Sequence, residues 1–135
     1  MKVIVDTSVW SQALRRSAPQ DSSPVRELLE LISELRVQMI GPVRQELLSG
    51  IRDRNQFERL RDHLRPFPDL ILESEDYEYA AEIFNTLRSK DVLASNTDIL
   101  LCSLSIRHKM PLFTTDNDFK NIVRHIPLEL HQARS

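Results

Sequence analysis

Val3-Ile4-Val5-Asp6-Thr7-Ser8-Val9-Trp10 is the stretch that decides the fold. Three consecutive β-branched apolar residues read as a strand buried on both faces, the pattern of a parallel sheet. Val9, Trp10, Ala13 and Leu14 then fall at helical spacing, so the chain turns from strand to helix directly after Asp6. That carboxylate therefore sits at the carboxyl end of a strand.

Ser23-Pro24 reads as an N-cap followed by proline at the first helical position, and Val25, Leu28, Leu29, Ile32 and Leu35 carry a 3.6-residue stripe to about Arg36. Residues 37–40 make a second short strand closed by Gly41-Pro42. A short helix over residues 43–49 follows, with Gly50 as its stop, so the chain's only two glycines bracket Glu46. Residues 54–64 form a third helical pattern that Pro66 and Pro68 break, and residues 70–72 are too short to assign. Ser74 is expected to cap a helix to about Ser89. Asn96 or Thr97 should cap the next, which is apolar nearly all round at Ile99, Leu100, Leu101, Cys102, Leu104 and Ile106 and so belongs in the interior. Residues 112–115 form a strand ending at Asp116, a helical turn covers 119–123, and residues 126–130 can add an edge strand.

Helices alternating with short apolar strands predict an α/β fold, a central parallel sheet flanked by helices in three layers with right-handed crossovers. The 135 residues fit one domain, and no repeat, low-complexity segment or linker divides residues 1–135. With 41% hydrophobic and 28% charged residues the balance is that of a soluble globular protein. No apolar run approaches the ~20 residues that span a bilayer, and Asp6 interrupts the region a signal peptide would need apolar, so a cytoplasmic protein without membrane contact is expected. The single cysteine, Cys102, excludes an internal disulfide and argues against a zinc–thiolate site.

A net charge of −2 gives the molecule no general field for a polyanion, so nucleic-acid contact would have to be local. The charge is uneven: residues 44–65 hold six arginines against four acids, and residues 73–82 hold five acids and no base. The arginines at 44, 52, 54, 59, 61 and 65 alternate with acids as on a solvated helix laced with ion pairs. Arg44 and Arg52, flanking the Glu46 helix, are the candidates for RNA contact.

In open α/β sheets the functional cleft lies beyond the carboxyl ends of the strands. Asp6 and Asp116 both end strands there, Asp98 occupies the first turn of the buried helix, and Glu46 lies on the helix after the second strand. Clustered carboxylates repel and raise one another's pKa, a strain that a hard divalent cation relieves. All-oxygen ligation suits Mg²⁺ or Mn²⁺, and no histidine pair has zinc-like spacing. Such a site can hydrolyse a phosphodiester backbone.

The opening octapeptide resembles that of PIN-domain proteins, especially VapC-like toxins of bacterial toxin–antitoxin pairs. Glu46-Leu47-Leu48-Ser49-Gly50 resembles the family's glutamate helix. Thr97-Asp98-Ile99-Leu100-Leu101, followed by His108-Lys109-Met110-Pro111-Leu112-Phe113-Thr114-Thr115-Asp116-Asn117-Asp118-Phe119, repeats its order of helix, turn, strand and acid. The resemblance runs over residues 3–126. It implies a PIN fold, Mg²⁺- or Mn²⁺-dependent endoribonuclease activity and neutralisation by a small VapB-like antitoxin, with Asp6, Glu46, Asp98 and Asp116 as catalytic metal ligands. Asp118 is an optional further ligand, Ser8 a hydrogen-bonder that orients a ligand or its water, and a homodimer the expected assembly. Two departures concern packing: the family often has glycine near Asp91, and an alanine-rich helix where Leu100, Leu101 and Cys102 stand.

Each acid also has an ordinary reading. Asp6 and Asp116 suit helix caps or turns, Asp98 a first-turn acid favoured by the helix dipole, and Glu46 a solvated surface position. Cys102 reads as core filler. Trp10 reads as core or interface, the acidic stretch 73–82 as a solvated face, and the histidines at 63, 108, 125 and 131 as surface or capping groups without chemistry. Two other functions compete: a noncatalytic PIN-like module binding RNA or protein, and a phosphoacceptor signalling domain. The second fits poorly, because Asp6 lacks an adjacent acid and Lys109 precedes its strand.

Overall fold

A computed structural model describes residues 1–15 and 22–134. The first strand, β1 (Val3–Val5), is buried along its whole length, as its unbroken apolar run requires. It is central in a parallel three-stranded sheet ordered β2-β1-β3, between β2 (Val37–Gln38) and β3 (Leu112–Phe113). The chain leaves β1 for one side of the sheet and returns to the other, so a topological switch point lies at the carboxyl end of β1, where a ligand crevice is expected. The helices are α1 (Thr7–Leu14), α2 (Ser23–Ser33), α3 (Gly41–Leu48), α4 (Arg54–Leu64), α5 (Ser74–Ser89), α6 (Asn96–His108) and the short α7 (Asp118–Ile122).

Both outer strands are shorter than expected. The Thr115 N–H donates to Ser8 Oγ at 3.1 Å and the Asp116 N–H to Thr114 Oγ1 at 3.0 Å, so the backbone after Phe113 serves hydroxyls instead of a ladder. Ile40 is already the N-cap of α3. Single parallel bridges widen the sheet on both sides, Met39 to Asp69 and Leu112 to Leu130. The first falls beside the unassigned residues 70–72, and the second is what remains of the expected edge strand over 126–130.

One hydrophobic core joins β1, α1, α2, α3, α6, β3 and α7, with Ile4, Leu28, Leu31, Leu101, Leu104, Leu112 and Phe119 nearly inaccessible. Trp10 belongs to it, edge-on to Phe67 at 5.3 Å. Several caps differ from expectation. Ser22, not Ser23, precedes α2, and Ser95 caps α6 by accepting from the Asp98 N–H at 3.1 Å. Glu73, not Ser74, caps α5 through a reciprocal box with Asp76. Gly50 stops the α3 segment at φ +87, a conformation glycine adopts without steric penalty.

The acidic stretch is not simply a solvated face. Asp76 is fully buried and receives the Arg107 guanidinium, the His108 ring at 3.0 Å and the Glu73 N–H at 2.8 Å. Glu27, 2% exposed, likewise receives His131 at 2.6 Å and Arg134 Nε at 3.0 Å from the C-terminal segment. His108 and His131 thus pair with buried carboxylates, which the reading of them as surface groups missed. Among the described residues no helix is long and apolar enough to cross a membrane.

Candidate active site

Asp6 stands at the N-cap position of α1, yet its carboxylate makes no capping hydrogen bond. It is 5% exposed, and Oδ2 instead accepts two hydroxyls, Ser8 at 2.8 Å and Thr114 at 2.7 Å. Each hydroxyl has one proton, spent on Asp6, and each accepts a backbone N–H from the segment after β3 in return. Gln12 Nε2 extends the knot to Thr115 Oγ1 at 3.1 Å. The knot ties the carboxyl end of β1 to that of β3 and fixes the approach of Asp6 to Asp116.

Glu46 projects from α3, where Thr7 Oγ1 donates to its Oε1 at 2.6 Å. Asp116 Oδ1 accepts the Asp118 N–H at 2.9 Å, so the turn-forming role read for it holds for that oxygen, while Asn117 is the N-cap of α7. Among the described residues no donor reaches Asp6 Oδ1, Glu46 Oε2 or Asp116 Oδ2.

Asp98 registers the other three acids. Its pKa is pushed up to about 6, by partial burial first and then by the charge of Asp6, with Asp116 and Glu46 adding to it and Ser95 opposing. A first-turn acid in contact with the helix dipole alone would be shifted down, so burial and like charge outweigh the dipole here. One turn further along α6 lies Cys102, whose thiol is pushed up to about 12 by burial and by the charges of Asp98 and Asp6. It is core filler beneath the acids, as its sequence position suggested.

The donor set suits a hard cation: four carboxylates from four elements, three of them with one oxygen held by the protein and one left over. Among the described residues no three acid, histidine or cysteine side chains close into a cage around one point. The carboxylates are neighbours by charge, not by contact. An ion such as Mg²⁺, which keeps several waters and takes only one or two direct carboxylates, does not require such a cage. Asp118 is exposed at the start of α7, and its carboxylate is not among the charges acting on Asp98.

The two arginines separate. Arg44 is spent inside the chain, its guanidinium bound to Asp69, to the Leu64 carbonyl at 3.0 Å and to the Phe67 carbonyl. It braces α3 against the segment after α4, and its candidacy for RNA falls. Arg52 is exposed in the loop between α3 and α4. On α4, Arg54 pairs with Glu58 and Arg61 with Asp62, as the alternation of charge predicted.

The sequence reading passed over Thr7, Gln12, Ser95 and Thr114. A signal was present for two of them: each strand-end aspartate is accompanied by hydroxyl residues, Asp6-Thr7-Ser8 and Thr114-Thr115-Asp116.

Acids beyond the carboxyl ends of β1 and β3, with a glutamate on α3 and an acid at the start of an interior helix, define an α/β domain with an acidic cluster at its switch point. The PIN domain family model matches residues 3–124, and the chain belongs to that family. It is 31% identical over 134 residues to the VapC ribonuclease Mb1587 of Mycobacterium bovis, across 98% of this chain and 99% of the relative. Identity and coverage are the same with ribonuclease VapC11 of Mycobacterium tuberculosis. Among solved structures, the VapBC2 complex of Rickettsia felis bound to a promoter DNA fragment is similar, with TM-score 0.78 and 21% identity over 97% of this chain and 98% of that one. FitAcB of Neisseria gonorrhoeae is similar at TM-score 0.77 and 18% identity over 96% of each chain. At those identities the likeness is one of fold.

Proposed function

We propose that this PIN-domain protein is a Mg²⁺- or Mn²⁺-dependent endoribonuclease and the toxin of a toxin–antitoxin pair, with Asp6, Glu46, Asp98 and Asp116 as its site. The observation that carries the reading is the convergence of three carboxylates from separate elements on Asp98, whose charges add to its partial burial in raising its pKa to about 6. A fold does not build such repulsion for stability, and the VapC relatives are named ribonucleases.

When bound, a divalent cation activates a water and stabilises charge on the phosphodiester. The chain's own residues hold and orient. Ser8 and Thr114 fix Asp6, the Asp118 N–H fixes Asp116, and the interior position of α6 keeps Asp98 at the same edge. Asp118 remains an optional ligand and Arg52 the candidate for a phosphate contact.

A small VapB-like antitoxin is the partner of this reading, which the VapBC2 complex among the similar structures supports. Of the apolar stripe on α2, Val25 and Leu28 are buried in the core, and the exposed Leu29 and Leu35 leave too little apolar surface for a partner helix. An amphipathic partner helix fits instead a groove between α1, α3 and α4, with Leu14, Leu47, Ile51 and Leu60 along it and Arg15 and Arg59 beside them. A basic side chain from the same partner would enter the acids. Homodimerisation and cytoplasmic residence complete the reading, and sedimentation equilibrium tests the dimer.

The decisive experiment maps new RNA 5′ ends in cells after brief expression of wild type and of Asp6→Asn. Discrete cuts with the wild type alone support the enzyme and name its substrate. Identical RNA in both strains would leave the family's noncatalytic binding role as the better account.

A further inference from the structure

On the reading that the four carboxylates hold a divalent cation, we propose that Thr7 is the positioning residue for Glu46, holding one carboxylate oxygen so that the other is left for the ion. Glu46 is the acid with the least to fix it. It is exposed on a helix, whereas Asp6 directly follows β1, Asp116 lies in the hydroxyl-tied segment after β3 and Asp98 sits on an interior helix. Ordering a glutamate side chain costs up to about 2 kcal/mol in lost rotamers, so a ligand of this kind gains from a tether. Among the described residues, Thr7 Oγ1 is the one donor that reaches its carboxylate, at 2.6 Å across 39 positions of sequence.

Thr7 is well suited to this. It follows Asp6 directly and opens α1, so its hydroxyl bond ties the ligand on α3 to the ligand at the end of β1. The arrangement matches that of the neighbouring acids, where Ser8 and Thr114 hold one oxygen of Asp6 and the Asp118 N–H holds one of Asp116. The donor is also of the right charge. A hydroxyl orients a carboxylate without neutralising it, whereas a guanidinium would compete with the ion. Arg44, two residues from Glu46, is held off by Asp69 and the carbonyls of Leu64 and Phe67.

The test is Mn²⁺ binding, by calorimetry and by the paramagnetic signal of the free ion, to wild type, Asp6→Asn, Thr7→Val, Thr7→Ser, Glu46→Gln and the Thr7→Val/Glu46→Gln pair, with melts in chelator alongside. Loss of an outer partner of a metal ligand typically weakens the metal about 10–100-fold, which is the expected loss for Thr7→Val. Thr7→Ser, which keeps the hydroxyl, should retain most of the affinity. In the Glu46→Gln background, Thr7→Val should change Mn²⁺ binding no further, because its effect runs through Glu46. Thr7→Ala carries the same expectation and does not depend on how a valine packs there. If Thr7→Val binds Mn²⁺ like the wild type, or loses as much affinity without Glu46 as with it, the positioning role is overturned while the cation site stands. If wild type and Asp6→Asn bind Mn²⁺ equally, the cation site itself falls and this role with it.

Discussion

Asp98 is the residue at which structure and chemistry conflict most openly. Its folded pKa of about 6 lies above the ordinary 3.8, so the folded state binds a proton that the unfolded chain releases. Stability of the metal-free protein therefore falls as pH rises from 3.8 to about 6 and stays reduced above that. Asp98→Asn should abolish RNA cleavage yet melt higher than wild type in chelator at neutral pH. Relief of one like charge in a partly solvated cleft is worth on the order of 1 kcal/mol, roughly a few degrees for a domain of this size. Millimolar Mg²⁺ should reverse the order, because the wild type gains more by binding. A mutant that melts lower in chelator would return Asp98 to an ordinary helix-start role.

Asp91 makes a smaller conflict of another kind. Its φ of 58 is left-handed, a conformation that glycine adopts freely, so an aspartate here bears on backbone strain as well as on packing. Asp91→Gly should raise stability by about 0.5–1 kcal/mol with activity unchanged, as measured by thermal melting.

The elements show where local pattern is legible and where it ends. β1 and α6 could be read from composition because an unbroken apolar run is buried whatever packs on it. The ends of β2 and β3 could not, since the Ile40 carbonyl opens α3 and the N–H groups of Thr115 and Asp116 go to hydroxyls, that of Ser8 lying 107 positions away. Glu27 and Asp76 were illegible for the same reason: on a helix stripe an acid looks solvated until its partner arrives, and His131 and Arg134 lie 104 and 107 positions from Glu27. The C-terminal segment also pairs with β3, the Leu112 N–H donating to the Glu129 carbonyl and the His131 N–H to the Leu112 carbonyl. Stopping the chain at Leu130 should therefore cost about 3 kcal/mol or more by leaving Glu27 buried and unpaired. Adding Glu27→Gln to the shortened chain should recover part of that loss in urea unfolding, because no charge is then stranded.

Across the whole molecule these acids oppose one another. Glu27 and Asp76 are held below their ordinary pKa with burial working against the shift, Glu27 by His131 and Arg134, and Asp76 by the Glu73 N–H first and then by Arg107 and His108. Their stability is present above the ordinary values of 4.5 and 3.8 and is lost as pH falls through the lowered ones. Asp98 runs the other way. Without metal the melting temperature should peak in the mildly acidic range and decline toward pH 6, and Mg²⁺ should move the optimum higher. A melting series across pH, in chelator and in Mg²⁺, checks this.

The α/β class and the parallel sheet were visible in one sequence because apolar runs and helical stripes announce themselves locally, and the four acids were visible as an ordered set along it. The hydroxyl knot that aims the acids was not, since it joins residues more than a hundred positions apart. The central claim is that those acids hold a cation that directs water at an RNA phosphodiester. The most direct measurement is the product ends of a labelled structured RNA incubated with wild type and with Asp6→Asn, in Mg²⁺ and in chelator. Water attack predicts cleavage by wild type in Mg²⁺ alone, with no 2′,3′-cyclic phosphate on the products. Cleavage that survives chelator or Asp6→Asn, or that leaves cyclic phosphate ends, would contradict the account.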